Sequence, residues 1–146
     1  GSARDEVEEI VKQYAVSSRQ NADYAREEML SSLQTGLRAA RDNPSVTAAL
    51  ICLGDQPQVE ERNVRAVVDA FKARKSHLVV PSYQMRRGHP WLVSRAHWDE
   101  ILQMKSPQTP RAFLNRHAAE IEYANVANPS ILCDLDTFKD YLKSRP

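Results

Sequence analysis

Asp55 is the side chain best placed for chemistry in this sequence. It follows the apolar run Ala48-Ala49-Leu50-Ile51-Cys52-Leu53 and Gly54, and it precedes Gln56-Pro57. A carboxylate just past the carboxyl end of a buried strand suits a Mg2+ ligand, and Gly54 lets a ligand come close to the backbone. Mg2+ takes only one or two carboxylates and completes its octahedron with water and phosphate oxygens. The same position also suits the N-cap of a helix begun by Pro57, and spacing does not separate the two readings. Asp134 and Asp136 stand at the exit of a second apolar run, Ile131 to Leu135, where a carboxylate could share a metal with Asp55. Asp136 has the place of an N-cap for a closing helix, whereas Asp134 has no such second use. Ser31 and Ser32, read as the start of a helix, are phosphate donors or caps. Arg86 and Arg87 offer cations to a phosphate or form a solvated hairpin tip, and His89 is the one histidine in a loop of that kind.

Other chemistries are excluded on spacing. His77, His89, His97 and His117 show no HExxH or paired arrangement, which argues against zinc, and no Ser/His/Asp or Cys/His set can be assembled. Cys52 and Cys133 make no CxxC motif and read as buried free thiols. Gly1, Gly36, Gly54 and Gly88 are isolated, so neither GxGxxG nor GxxxxGK[ST] can be written. A nucleotide handled by this chain would lack part of the usual phosphate cradle.

The elements that must position these residues follow from hydrophobic periodicity. Val7, Ile10, Val11 and Tyr14 mark a short helix over about 3–14, and 15–19 reads as a short strand. Leu30, Leu33, Leu37 and Ala40 mark a second helix, ended by Asp42-Asn43-Pro44. The run 48–53 is apolar on both alternations, as for a strand covered on both faces. Val64, Val67, Val68 and Phe71 supply a helix, 78–81 a strand, and 83–93 a hairpin, or a loop inserted between two strands, around Arg86-Arg87-Gly88-His89-Pro90. Helices are expected over about 95–104 and 111–117, strands over 121–126 and 131–135, and a last helix through Phe138, Tyr141 and Leu142. Trp91 and Trp98 are expected to pack in the core or in a lid. This alternation predicts an α/β fold with a mostly parallel sheet.

The 146 residues suit one domain. Hydrophobic residues make up 42% and charged residues 27%, and a formal charge of +1 gives no pull towards nucleic acid or an anionic membrane. The longest apolar run is far short of the roughly 20 residues that span a bilayer, and no signal peptide opens the chain. The expectation is a soluble, cytoplasmic protein with neither nucleic acid nor membrane as partner.

Four segments, taken together, carry a resemblance. They are Met29-Leu30-Ser31-Ser32-Leu33-Gln34-Thr35-Gly36-Leu37, Leu53-Gly54-Asp55-Gln56-Pro57, Arg87-Gly88-His89-Pro90 and Ile131-Leu132-Cys133-Asp134-Leu135-Asp136-Thr137. In this order and spacing they resemble the MobA-like nucleotidyltransferases, with the molybdenum cofactor cytidylyltransferases as the nearest branch. The resemblance covers nearly the whole chain. It implies a three-layer, Rossmann-like GT-A-type fold with helices on both faces of the sheet. It also implies transfer of a nucleoside monophosphate, from CTP by preference or from GTP, to a phosphorylated acceptor with release of pyrophosphate. By the same resemblance Asp55 and Asp134 are catalytic Mg2+ ligands, and Asp136, of the closing D-x-D-T motif, is a further metal ligand. Ser31, Ser32 and Gly54 line the nucleotide site, and Arg87, Gly88 and His89 face the acceptor.

Three departures are visible. Glu28 stands where the family places glycine before Met29, and the acceptor-side loop is Lys105-Ser106-Pro107-Gln108-Thr109-Pro110-Arg111, without glycine. The opening strand and its glycine-rich triphosphate loop are absent from these residues. A sheet lacking its first strand would hide its apolar edge by self-association or by holding a separate N-terminal fragment, and the 146-residue domain alone would bind CTP or GTP weakly or not at all. Two further readings keep the fold: a non-catalytic binding module, and an enzyme acting on a sugar phosphate or methylerythritol phosphate.

Overall fold

A computed structural model describes residues 4–14, 16–135, 137, 139, 140 and 142, with the backbone alone for 4 and 24–28. Asp136, Phe138, Tyr141 and Ala15 therefore lie outside the described residues, as does the side chain of Glu28. The chain divides into two compact units, residues 1–46 with 98–116, and residues 47–97 with 117–146.

The first unit is helical. It contains α1 (Arg4–Val11), α2 (Tyr24–Arg41), α4 (Trp98–Gln103) and α5 (Pro110–Arg116). The 16–19 segment expected as a strand is irregular. Leu30, Leu33 and Leu37 repeat on one stripe of α2 and are buried, as are Trp98, Ile101 and Phe113 of this unit. Gln34 shares that buried side. Its Nε2 donates to the carbonyls of Ile101 at 2.9 Å and Met104 at 3.0 Å, which satisfies acceptors left over at the end of α4. Thr109 Oγ1 accepts from the Ala112 amide at 3.1 Å and so caps α5.

The second unit carries the sheet. Its elements are β1 (Ala48–Ile51), α3 (Glu61–Arg74), β2 (Leu78–Tyr83), β3 (Arg86–Arg87), β4 (Trp91–Ser94) and β5 (Ile121–Asn125). β1 pairs antiparallel with β4, β4 antiparallel with β2, and β2 parallel with β5. β1, β2 and β5 thus run one way, while β4 and the short β3 run against them, so the sheet is mixed. The α/β class holds. Leu78 to Ser82 are all buried in central β2, and Val67 of α3 packs with Val79, Leu92 and Ala124 to form the core over the sheet.

β1 differs from expectation, because each of its four residues is half-buried rather than covered on both faces. Among the described residues it pairs with β4 alone, so it lies at the edge of the sheet. The cysteines also differ: both are free, as expected, but exposed rather than buried.

Pro81 would be out of place in most central strands because it lacks an N–H. Here β4 pairs with Leu78 and Val79, β3 pairs with Ser82 and Tyr83, and Pro81 falls at the break between them. At that break the Gly88 amide donates to the Pro81 carbonyl at 3.1 Å. The hairpin joins β2 to β3, so Arg86 and Arg87 stand in a strand and not at the tip expected of them, and its two turn residues, Gln84 and Met85, both have positive φ (48° and 65°). A two-residue turn of this hand requires that conformation.

Candidate active site

Asp55 lies in the turn after β1. The helix it was weighed against as a cap, α3, starts only at Glu61, and its N-cap residue is Glu60. Pro57 lies in the turn as well and does not begin the helix. Helix capping therefore does not account for the Asp55 carboxylate, which is exposed.

The segment expected as a strand over 131–135 is instead a 3₁₀ turn, Pro129–Leu132, followed by irregular chain. Asn128 sets that turn, since its Oδ1 accepts from the Ser130 amide at 3.1 Å and Pro129 fixes the first turn position. Asn63, buried on α3, donates to Asn128 Oδ1 at 3.0 Å and Ser130 Oγ at 2.9 Å. A buried amide with several partners holds its neighbours in one arrangement, because leaving it unsatisfied costs about 1–3 kcal/mol.

This fixed turn sends residues 133–135 along the Asp55 turn. The Leu135 amide donates to the Asp55 carbonyl at 2.9 Å, Gln56 Nε2 donates to Asp134 Oδ1 at 2.6 Å, and Gln58 Nε2 donates to the Cys133 carbonyl. Asp55 and Asp134, distant in sequence, therefore meet in one place. Gln56 is buried, and among the described residues its Oε1 has no hydrogen-bond donor.

His89 completes the group. The Gly88-His89-Pro90 segment breaks β3 from β4, and the His89 amide donates to the Ile131 carbonyl at 3.1 Å. Burial pulls the His89 imidazole below the ordinary histidine value of 6.5, while the nearby carboxylates, Asp134 and then Asp55, pull the other way. Arg87, on the same segment, donates from Nε and Nη2 to the Tyr123 hydroxyl at 2.9 and 2.6 Å, and its guanidinium lies 5.6 Å from that ring's centre.

The His89 shift has a sign. Below pH 6.5 the unfolded chain takes up a proton that the folded imidazole resists, so stability falls as pH drops from 6.5 through the lower folded pKa. His89→Gln should flatten this acid-side slope in denaturant melts made without divalent cations. Asp134→Asn should lower the imidazole pKa further in an NMR titration; an unchanged or raised pKa would contradict the placement of Asp134.

Ser31 and Ser32 belong to the other unit and stand in the middle of α2, not at its start as expected, so they do not share in a helix N-terminus. Asn21 Nδ2 donates to Ser31 Oγ at 2.8 Å and Ser32 Oγ at 3.0 Å. Ser32 lines an open pocket of about 790 Å3 with Ser17, Arg19, Asn21, Thr35 and Gly36.

Of the expected residues, the second unit thus gathers Gly54, Asp55, Asp134, Gly88 and His89, while in the first unit Ser32 lines a polar pocket and Ser31 is buried. Sequence reading missed Gln56, Gln58 and the Asn63–Asn128–Ser130 set. Asn63 left a signal, since it sits four residues before Val67 on the apolar stripe of α3, where a polar residue needs a partner.

Residues 2–121 match the MobA-like NTP transferase domain. The chain belongs to this family. No curated protein sequence matches it. Among solved structures it is similar to Rv0371c from Mycobacterium tuberculosis, with 28% identity over 80% of this chain and 58% of that one and a TM-score of 0.66. A manganese complex of Rv0371c shows 26% identity over 74% of this chain and 58% of that one, with a TM-score of 0.55. A Methanothermobacter nucleotidyl transferase shares the fold, at 19% identity over 99% of this chain and 68% of that one, with a TM-score of 0.73. The chain spans less than three-fifths of the length of the mycobacterial structures. Among the described residues no helix is long and apolar enough to cross a membrane.

Proposed function

We propose that this domain supplies the metal and acceptor side of a nucleotidyltransferase. The reaction moves a nucleoside monophosphate, CMP by preference, from a nucleoside triphosphate to a phosphorylated acceptor such as the molybdopterin cofactor, and releases pyrophosphate. The observation that carries this reading is the convergence of Asp55 and Asp134 beside the buried Gln56 Oε1, which has no donor. Two carboxylates and an amide oxygen are hard donors and fit a Mg2+ or Mn2+ ion. The manganese found with Rv0371c agrees with that donor set.

Asp55 and Asp134 would hold the ion, which when bound neutralises charge on the transferring phosphoryl group. Gln56 would fix the Asp134 carboxylate through its 2.6 Å bond to Oδ1. His89, held mostly neutral by burial, offers a hydrogen bond to an acceptor phosphate without competing for the cation. Ser31, Ser32 and the polar pocket on α2 are assigned to the nucleotide. In-line attack of an acceptor phosphate on the α-phosphorus needs no covalent enzyme intermediate, so positioning and charge neutralisation supply the rate.

The test is pyrophosphate release by the full-length protein, with Mg2+, a phosphorylated pterin acceptor, and CTP or GTP in competition. CTP-dependent release with the pterin acceptor is expected. Preference for GTP would reverse the nucleotide assignment, release only with a sugar phosphate would reassign the acceptor, and no release with any pair would leave a binding module.

A further inference from the structure

Three histidines dismissed by their sequence spacing come together at the other end of the sheet. His77 precedes β2, His97 ends the 3₁₀ turn Arg95–His97 that follows β4, and His117 precedes β5 by four residues. Because β4 runs against β2 and β5, these positions all fall at the end where β2 and β5 begin. Asp55, His89 and Asp134 lie beyond the opposite end, a strand length of about 20 Å away.

The contacts within this group are close. A ring nitrogen of His97 lies within 4.8 Å of one of His117, and the ring centres are 4.7 Å apart. Glu120 reaches both: Oε1 is 2.7 Å from His117 Nδ1 and Oε2 is 3.7 Å from His97 Nε2. The two imidazoles are shielded, with side chains 12% and 17% exposed, while Glu120 is 54% exposed. His77 stands edge-on to His97 at 6.1 Å between ring centres, with its Nδ1 held 3.0 Å from Ser94 Oγ.

We propose that His97, His117 and Glu120 form a site for a borderline-soft divalent cation of the Zn2+ class. Zinc binds imidazole nitrogen at about 2.0–2.1 Å, so two such ligands on one ion stand about 3.3 Å apart. Starting from nitrogens no more than 4.8 Å apart, small rotations bring both to that distance. Two imidazoles and one carboxylate select Zn2+ or Co2+ over Mg2+, whose preference is for oxygen alone. The ion would tie the end of β4 to the turn entering β5 and leave a coordination position towards solvent. Its selectivity is opposite to that of the Asp55–Asp134 site, and it does not depend on that site.

The experiment is a titration of the chelator-treated full chain with Zn2+ by calorimetry, repeated with Co2+ to record visible d–d bands of nitrogen ligation. One equivalent should bind, undisturbed by excess Mg2+. Glu120→Gln alters an exposed side chain and should weaken binding at least about tenfold, His117→Gln likewise, each with the metal-free melting temperature as a check on folding. Asp55→Asn with Asp134→Asn should leave Zn2+ binding unchanged. The proposal is overturned if no Zn2+ binds, if Mg2+ displaces it, or if Glu120→Gln and His117→Gln fold and bind as the parent does.

Discussion

Asp55→Asn should lower nucleotide-dependent pyrophosphate release on the order of 10²–10³-fold, as removal of one well-placed charge-stabilising group does. Stability should change by no more than about 0.5 kcal/mol. The separation of the two effects follows from the geometry. The Asp55 side chain is exposed and caps no helix, and what holds this turn in place is its backbone carbonyl, which accepts from Leu135 and survives the substitution. Asp134→Asn should give a similar loss of activity, because its amide oxygen can still accept from Gln56 while the charge is gone. Mn2+ titration of both variants, followed by water-proton relaxation, separates loss of the cation from loss of the nucleotide. Activity within threefold of the parent in Asp55→Asn would remove this carboxylate from the mechanism.

Gly88→Ala should do the reverse, breaking the fold around the site rather than the chemistry alone. A Cβ at this position would stand 2.2 Å from the Ile131 carbonyl oxygen and 2.8 Å from the Ile131 Cβ, and the first of these is backbone that cannot swing aside. The segment would have to part from the 3₁₀ turn, with loss of the bond from the His89 amide to the Ile131 carbonyl. Overpacking of this kind costs about 3 kcal/mol, or roughly 6–12 °C in melting temperature for a domain of this size. Because that turn leads into Asp134, cation affinity should fall along with stability. A variant as stable as the parent would mean that the Gly88–Ile131 approach is not tight. Gly54→Ala is the control: a Cβ there meets nothing within 4 Å, and the melting temperature should hardly move.

The α/β class, α2, β2, the hairpin and β5 were legible because each has a strong local period or a turn signal, as in Leu30-Leu33-Leu37 and Leu78-Val79-Val80. Asp55 was legible as a carboxylate at a strand exit. Asp134 was legible in position but not in setting, because Ile131-Leu132 has the composition of a strand while Asn128-Pro129 forces a turn that partners far away in sequence, Asn63 and the His89 amide, stabilise. Ser31 and Ser32 were misplaced within α2 for a related reason: the polar first turn of that helix, ahead of Leu30, carries no apolar period to announce it. The His97–His117–Glu120 group was invisible because no local spacing joins residues that meet only when β4 and β5 flank β2.

The hydrogen bonds between 55–58 and 133–135 also set an order of events during synthesis. The strands of the described sheet end at residue 125, ahead of the segment that carries Asp134. The paired carboxylates exist only after Asp134 emerges, and at about 5–20 residues per second that takes on the order of seconds. A nascent chain at that stage, or a mature one trimmed just past β5, would have its strands without the pair of carboxylates proposed to hold the cation.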